Sequence, residues 1–269
     1  MAAEIYDLAA EHHLNSLGTD VYPRHVAHIL CIRGCYDFYF DGRPFTLSRG
    51  EGMIIIAQRL FERKAASDDF EAICIYASPV FLERCTPRSN YGIKGSLALY
   101  SCPVMQMEKE QFDRMRHNFL LLERCLKNDG HLFYDEMIAC ATQMMILNFF
   151  DVHASHNGLA NIPFQDADII ARFMQILERG DYIKNREVSY YANELCVTPK
   201  YLSEVCKSVS GKTANYWITR FAVIHIRRLL QQKEISFTKI SDMFGFSSSA
   251  YFSRFVQKHL GTSPTNFRK

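Results

Sequence analysis

Lys200, Ser203, Glu204 and Lys207 recur at intervals of three and four along one stretch of the sequence, and Ser249, Ala250, Ser253, Arg254 and Lys258 do so along another. On a helix, such spacing brings side chains to one outward face. The chemistry these residue types offer is recognition of base edges and phosphates. A guanidinium such as Arg254 can bond bidentately to guanine, a carboxylate such as Glu204 can accept from cytosine N4, and a small side chain such as Ala250 can touch a thymine methyl. Lys207 and Lys258, further along each stretch, suit phosphates, as do N–H groups at helix starts. Duller readings stand beside these. Glu204 can instead pair with Lys200 four residues earlier or simply repel phosphate, and Tyr201, Tyr251 and Phe252 at helical spacing read as core ahead of base stacking.

Elements of fixed geometry must hold these residues. In the second stretch, Phe237, Ile240, Met243 and Phe244 recur at helical spacing, Gly245 can take positive φ just after a helix, and Phe246 plugs the turn. Ser247 or Ser248 then caps a second helix whose buried face is Phe252, Phe255 and Val256. Gly261 closes it, and Ser263-Pro264 opens one more short helix. The pattern repeats at an offset of 50: Tyr201, Ser203 and Gly211 correspond to Tyr251, Ser253 and Gly261. In the first copy, residues 188–195 form the supporting helix with Ala192 at the crossing, Cys196-Val197 the turn, and Thr198-Pro199 the cap and first position of a helix running to Val209. Between the copies, Thr213 to Gln232 reads as one long helix with Trp217, Phe221, Ile224 and Leu229 inward and Arg220, Arg227, Arg228 and Lys233 outside. Twenty residues span about 30 Å, close to one turn of B-DNA at about 34 Å.

This C-terminal third resembles the AraC/XylS family of bacterial transcription regulators. The matching residues are Ile240, Gly245-Phe246, Tyr251-Phe252-Ser253-Arg254, Phe255, Lys258, Gly261, Ser263-Pro264 and Phe267-Arg268. Ser241 stands where the family usually has Ala, and Gln257 where a second Lys is common. The resemblance implies sequence-specific binding to double-stranded promoter DNA, with base-contacting positions at Lys200, Ser203, Glu204, Ser249, Ala250, Ser253 and Arg254. It also implies contact with RNA polymerase in an activator.

Charge agrees with that division. Residues 165–269 hold 16 Lys/Arg against 9 Asp/Glu, and residues 1–164 hold 15 against 20. A basic module on an acidic body suits a polyanion-binding domain joined to a domain that does not bind one. Nine scattered cysteines, mostly with apolar flanks, read as reduced, buried thiols. The opening Met-Ala-Ala-Glu lacks the basic start of a signal peptide, and the apolar run from Met137 to Phe150 is too short and too polar to span a bilayer. The expectation is a cytoplasmic protein with no membrane contact.

The first 153 residues carry less specific signals. Strand-like runs from His25 to Ala77 are separated by turn residues, notably Asp41-Gly42 and Arg49-Gly-Glu-Gly52, so residues 21 to about 105 predict an antiparallel barrel or jelly-roll sandwich. Two helices follow. Phe112, Met115, Phe119, Leu122 and Cys125 stripe the first, and Met137, Ala141, Met144, Met145, Leu147 and Phe149 mark the second, from about Leu132 to Val152. Residues 154–163 read as a linker, and 164–269 as the tandem helix-turn-helix domain, giving an α+β protein. The segment resembles the small cupin-like barrel that AraC-family members often carry, which implies a small-molecule effector in the barrel and helices that pair two subunits. The His-x-His pair and later His of metal-binding cupins do not occur: His25 and His28, three apart, fall on opposite strand faces, and His12-His13 lies in a polar, solvated start. The expectation is therefore a regulator with no cofactor, metal or catalytic residue. Its rivals are a cupin-type metal-dependent enzyme fused to a DNA-binding anchor, and a barrel that binds a protein partner.

Overall fold

A computed structural model describes residues 7–86, 91–157 and 162–268. The chain divides into two compact units, Met1–Asn161 and Ile162–Lys269. The leader expectation at the first residues and the middle of the expected linker, residues 158–161, lie outside the described residues.

Unit 1 opens with seven strands: β1 (Leu8–Glu11), β2 (Val26–Arg33), β3 (Cys35–Phe40), β4 (Arg43–Ser48), β5 (Gly52–Ile55), β6 (Phe61–Ala66) and β7 (Glu71–Ala77). Then come α1 (Pro79–Cys85), α2 (Tyr91–Leu99), the short β8 (Val104–Met105), α3 (Lys109–Leu126) and α4 (Tyr134–Asn157). Two antiparallel sheets form, with strand orders β1-β7-β2-β5-β8 and β4-β3-β6. Among the described residues no ladder joins them, so the expected barrel is not closed. The reason lies after β7. Ser78 Oγ accepts from Phe81 N at 3.1 Å and Pro79 occupies the first helical position, so the chain turns into α1 where further strands were expected.

Turn chemistry sets the sheet register. Asp41 and Gly42 take φ of 54° and 70° between Phe40 and Arg43, the two positive angles of a tight hairpin. Gly34 joins β2 to β3 at φ 69°, where an added Cβ would sit 2.8 Å from Phe70 Cα. No other residue fits there without backbone movement.

The five-stranded sheet is buried on both faces. Leu30, Ile54, Ile73 and Ile75 pack with Met115, Phe119 and Leu122 of α3 and Met145, Ile146 and Phe149 of α4, while Ala27, Ile29, Met53 and Ile55 are buried on the opposite face. The α3 stripe is buried as its periodicity predicts, with Phe112 partly so. Of the apolar residues that mark α4, Met144 and Leu147 are exposed. Ile138, Ile146 and Val152 take their places inside, since α4 buries one stripe of a helix apolar on several sides. The helix also outruns its expected bounds. It continues to Asn157, making residues 154–157 helix instead of linker, and Tyr134–Ser155 is long and apolar enough to cross a membrane by length and composition. The Met137–Phe150 run is the centre of that longer helix, and its Met145, Ile146 and Phe149 pack into the core of unit 1, as a core helix that passes the same test does.

Smaller differences have local causes. His12, though exposed, bonds Glu123 at 2.9 Å and is not simply solvated. All nine cysteines are free, but Cys35, Cys102, Cys140 and Cys196 are exposed, so apolar flanks did not guarantee burial.

Candidate nucleic-acid interface

Unit 2 is all helix: α5 (Phe164–Arg179), α6 (Val188–Glu194), α7 (Pro199–Ser210), α8 (Ala214–Gln231), α9 (Phe237–Met243), α10 (Ser249–Leu260) and α11 (Pro264–Arg268). Side-chain caps decide where five of them begin. Thr198, Thr213, Ser236, Ser248 and Ser263 each accept from a backbone N–H three residues on, at 3.1 to 3.3 Å. Of the two candidates for the α10 cap, Ser248 is therefore the residue that serves. Losing such a cap frays the first turn of the helix, where Ser249 and Ala250 stand. Ser248→Ala is expected to cost about 1 kcal/mol of unit 2 stability, read by urea unfolding.

The two helix-turn-helix units are built alike but not identically. Val197 N bonds Ala192 O at 2.9 Å and Phe246 N bonds Ser241 O at 3.0 Å, each closing a tight turn. The turn needs one residue at positive φ just past the first helix, and Cys196 (57°) and Gly245 (60°) supply it. These positions correspond at an offset of 49, whereas α7 and α10 correspond at 50. The second turn thus holds one extra residue. Ala192 and Ser241 occupy the crossings and are buried at 0% and 2% exposure, so Ser at this site fits as a small side chain does.

Helix α8 stands between the units. Its 18 residues span about 27 Å, slightly less than the sequence suggested. Trp217, Phe221, Ile224 and Leu229 are buried as expected, with Phe221 fully so. Tyr182, from a short 3-10 turn after α5, packs its ring 5.8 Å from Phe221 and bonds His225, which in turn lies 5.3 Å from the Phe244 ring. Of the expected outer basic residues, Arg228 and Lys233 are exposed while Arg220 and Arg227 are half-buried. Arg220 bonds Tyr216 Oη at 3.0 Å and lies over Trp217.

Two arginines tie the second unit to its neighbours: Arg186, which sequence reasoning missed, and Arg268, which it named in the matching signature without a contact. The Arg186 guanidinium lies 4.5 Å from the centre of the Phe246 ring and donates to Phe244 O, so it clamps the turn before α10. Partial burial pulls its pKa down from the ordinary arginine value. Arg268 lies over Phe237 at 4.1 Å and donates to Leu230 O at 2.9 Å. These contacts were invisible in sequence because the partners lie far along the chain, 38 residues away for Leu230 and 58 for Phe244.

With these supports, the candidate DNA-facing residues fall on two helices whose inner faces are buried. On α7, Leu202, Val205 and Cys206 are inside, Lys200, Glu204 and Lys207 are exposed, and Ser203 is half-buried. On α10, Phe252 and Val256 are inside, Ser249, Ala250, Arg254 and Lys258 are exposed, and Ser253 is half-buried. Lys200 Nζ approaches Glu204 Oε1 at 3.9 Å with both side chains largely exposed, so the pairing reading of Glu204 has a geometric basis but a loose one. The aromatic expectations divide. Phe252 is core, and Tyr201 is half-buried, donating to Asp166 Oδ1 at 2.9 Å and so tying α7 to α5. Tyr251 is 49% exposed and adjoins Ala250, which corrects its reading as core and adds it to the outward face of α10. Helical spacing could not separate the cases, because Tyr251 lies at the edge of the apolar stripe.

Among the described residues, no group of three or more His, Cys, Asp or Glu side chains gathers as a metal site.

A helix-turn-helix domain family matches residues 191–269. A probable transcription factor, PqrA of Proteus vulgaris, is 30% identical over 102 residues, covering 38% of this chain and 81% of the relative. The HTH-type transcriptional activator RhaR of an Enterobacter species is 21% identical over 241 residues, covering 89% of this chain and 83% of the relative. Among solved structures, ToxT of Vibrio cholerae is similar at TM-score 0.46 and 14% identity, covering 97% of this chain and 98% of that one. A fatty acid-bound ToxT structure is similar at TM-score 0.42 and 11% identity, covering 92% and 87%. The chain belongs to the AraC family of transcription regulators. It is a DNA-binding transcription regulator, not an enzyme.

Proposed function

We propose that α7 and α10 are the two recognition helices and enter successive major grooves of promoter DNA, with α8 as the spacer that sets their separation. What supports this is that both helices are capped, buried on one face in the same core, and polar on the other. Lys200, Ser203, Glu204, Ser249, Ala250, Ser253 and Arg254 would face base edges, and Lys207 and Lys258 phosphates. Arg254 is the strongest of these, an exposed guanidinium without an acidic side chain near it on its own helix. Arg254→Ala is expected to weaken binding to a promoter fragment by about 1–3 kcal/mol and to relax preference at one base pair. Fluorescence anisotropy at fixed salt, against a set of single-base operator variants, measures both. Unchanged affinity would remove Arg254 from the interface.

The remaining features extend the same reading. Residues 1–153 would form the sensing and pairing domain, and 164–269 the DNA-binding domain. Unit 1 would bind a small-molecule effector and contribute to a homodimer, and the regulator would act in the cytoplasm. RhaR is named an activator, and by likeness this chain would activate through RNA polymerase. For an effector to shift operator affinity it must bind two states of the protein unequally.

A further inference from the structure

Unit 1 holds a cavity of about 210 Å³ between the helix-facing side of the five-stranded sheet and helices α1, α2 and α4. Its walls are mostly apolar, with Ile54, Leu99, Ile146 and Phe149 among them, and among the described residues no Lys, Arg, Asp or Glu side chain lines it. His28 of β2 is the exception. It is 5% exposed, its ring lies 5.7 Å from that of Phe149, and its Nδ1 has no hydrogen-bond partner. A buried polar atom left unsatisfied is costly, so an unpartnered nitrogen on the wall of an apolar cavity wants an occupant that can bond it.

The size and chemistry of that occupant follow. At a packing density of about 0.74, the cavity accommodates on the order of ten non-hydrogen atoms. An apolar cavity of only about 150 Å³ holds benzene. A charged group brought against its inner wall would lose much of its water, with no opposite charge among the described lining residues to meet it. His28 does not supply one: burial lowers its pKa to about 4, against the lesser opposing effect of a hydrogen bond to the backbone of Ile75.

We propose that this sheet–helix cavity, and not the space between the two sheets, is the ligand site of unit 1, taking a compact uncharged apolar molecule whose single hydroxyl or N–H group bonds His28 Nδ1. The inference rests on the reading of unit 1 as a small-molecule sensor. A hydroxyl serves either tautomer of the ring, since it both donates and accepts. Ile146, Phe149, Phe150 and His153 of α4 share the cavity, so an occupant packs directly on the last helix of unit 1.

The test uses 4-methylphenol, toluene and 4-methylbenzoate as probes, titrated calorimetrically into the full-length chain. 4-Methylphenol is expected to bind saturably, about tenfold tighter than toluene and at least about a hundredfold tighter than 4-methylbenzoate. His28→Phe should erase the difference between 4-methylphenol and toluene, and Thr86→Trp, at the exposed rim, should weaken both. No saturable binding of 4-methylphenol, equal binding of 4-methylbenzoate, or indifference to both substitutions would overturn the site. Should a variant fail to fold, methyl resonances of Ile54 and Ile146 in the unmodified chain decide, since a ligand in this cavity must shift them and their constancy rejects it. Operator affinity is read in parallel. Probe binding without any change in operator affinity supports the site and overturns the effector reading, whereas an operator response to some other molecule, with these probes unbound, keeps the effector reading and rejects the site.

Discussion

Phe221→Ala is expected to destabilise unit 2 by about 3–5 kcal/mol, a large part of the roughly 5–15 kcal/mol that holds a domain of this size together. The side chain is fully buried at the middle of α8, so its removal opens a cavity that no flexible loop can refill. Tyr182 would lose the ring it packs against, and the contact of His225, on the same helix, with Phe244 after α9 would loosen with it. Trp217, the chain's single tryptophan, lies one turn earlier on the same buried stripe and reports the loss through its fluorescence during urea unfolding. The melting transition should fall by roughly 15 °C or more. Operator binding should weaken although none of the proposed DNA-facing residues is touched, because α7 and α10, the proposed recognition helices, both pack on α8. A loss below about 1 kcal/mol would mean that α8 is not the centre of this unit.

The second large effect is a pH dependence of unit 1. His28 titrates at about 4 in the folded chain against 6.5 ordinarily, with burial as the main cause. The folded pKa is depressed, so the unfolded chain binds more protons between these values. The stability contributed by keeping His28 neutral is fully present above pH 6.5 and is lost as pH falls through that window toward 4, by up to about 3 kcal/mol. Among the described residues no carboxylate, lysine or arginine lines the cavity to offset the change, and His153 is the other titratable group along it. Hydrogen exchange of the β2 and β7 amides from pH 7 to pH 4.5, corrected for intrinsic rates, measures it. Replacing His28 with Phe should flatten the profile; an equally steep profile in that variant would assign the acid sensitivity to other groups.

Much of unit 2 could be read directly from the residue order, because its determinants are local. Caps, the proline that follows Thr198, and stripes three and four residues apart act within one or two turns of helix, where chain neighbours are also spatial neighbours. The repeat exposed both helix-turn-helix units, and the outward faces of α7 and α10 followed from what lay inside. Two things were not legible. The extra residue in the second turn was hidden because the repeat was aligned on the recognition helices alone. Tyr251 and Tyr201, equivalent in the repeat, differ in burial because Asp166 of α5 meets only one of them.

In unit 1 the balance is reversed. The residue pattern determined that short antiparallel strands would form, where the Asp41-Gly42 hairpin would turn, and that two long helices would follow, since alternation, turn chemistry and helical period are properties of a few consecutive residues. Only the tertiary structure decided that the sheets stay open as a pair, that α1 and α2 occupy the chain between β7 and β8, that α4 turns Met144 and Leu147 outward, and that His28 faces a cavity. Those outcomes depend on which distant surfaces are buried against one another. Burial is a property of packed layers that no stretch of chain carries alone.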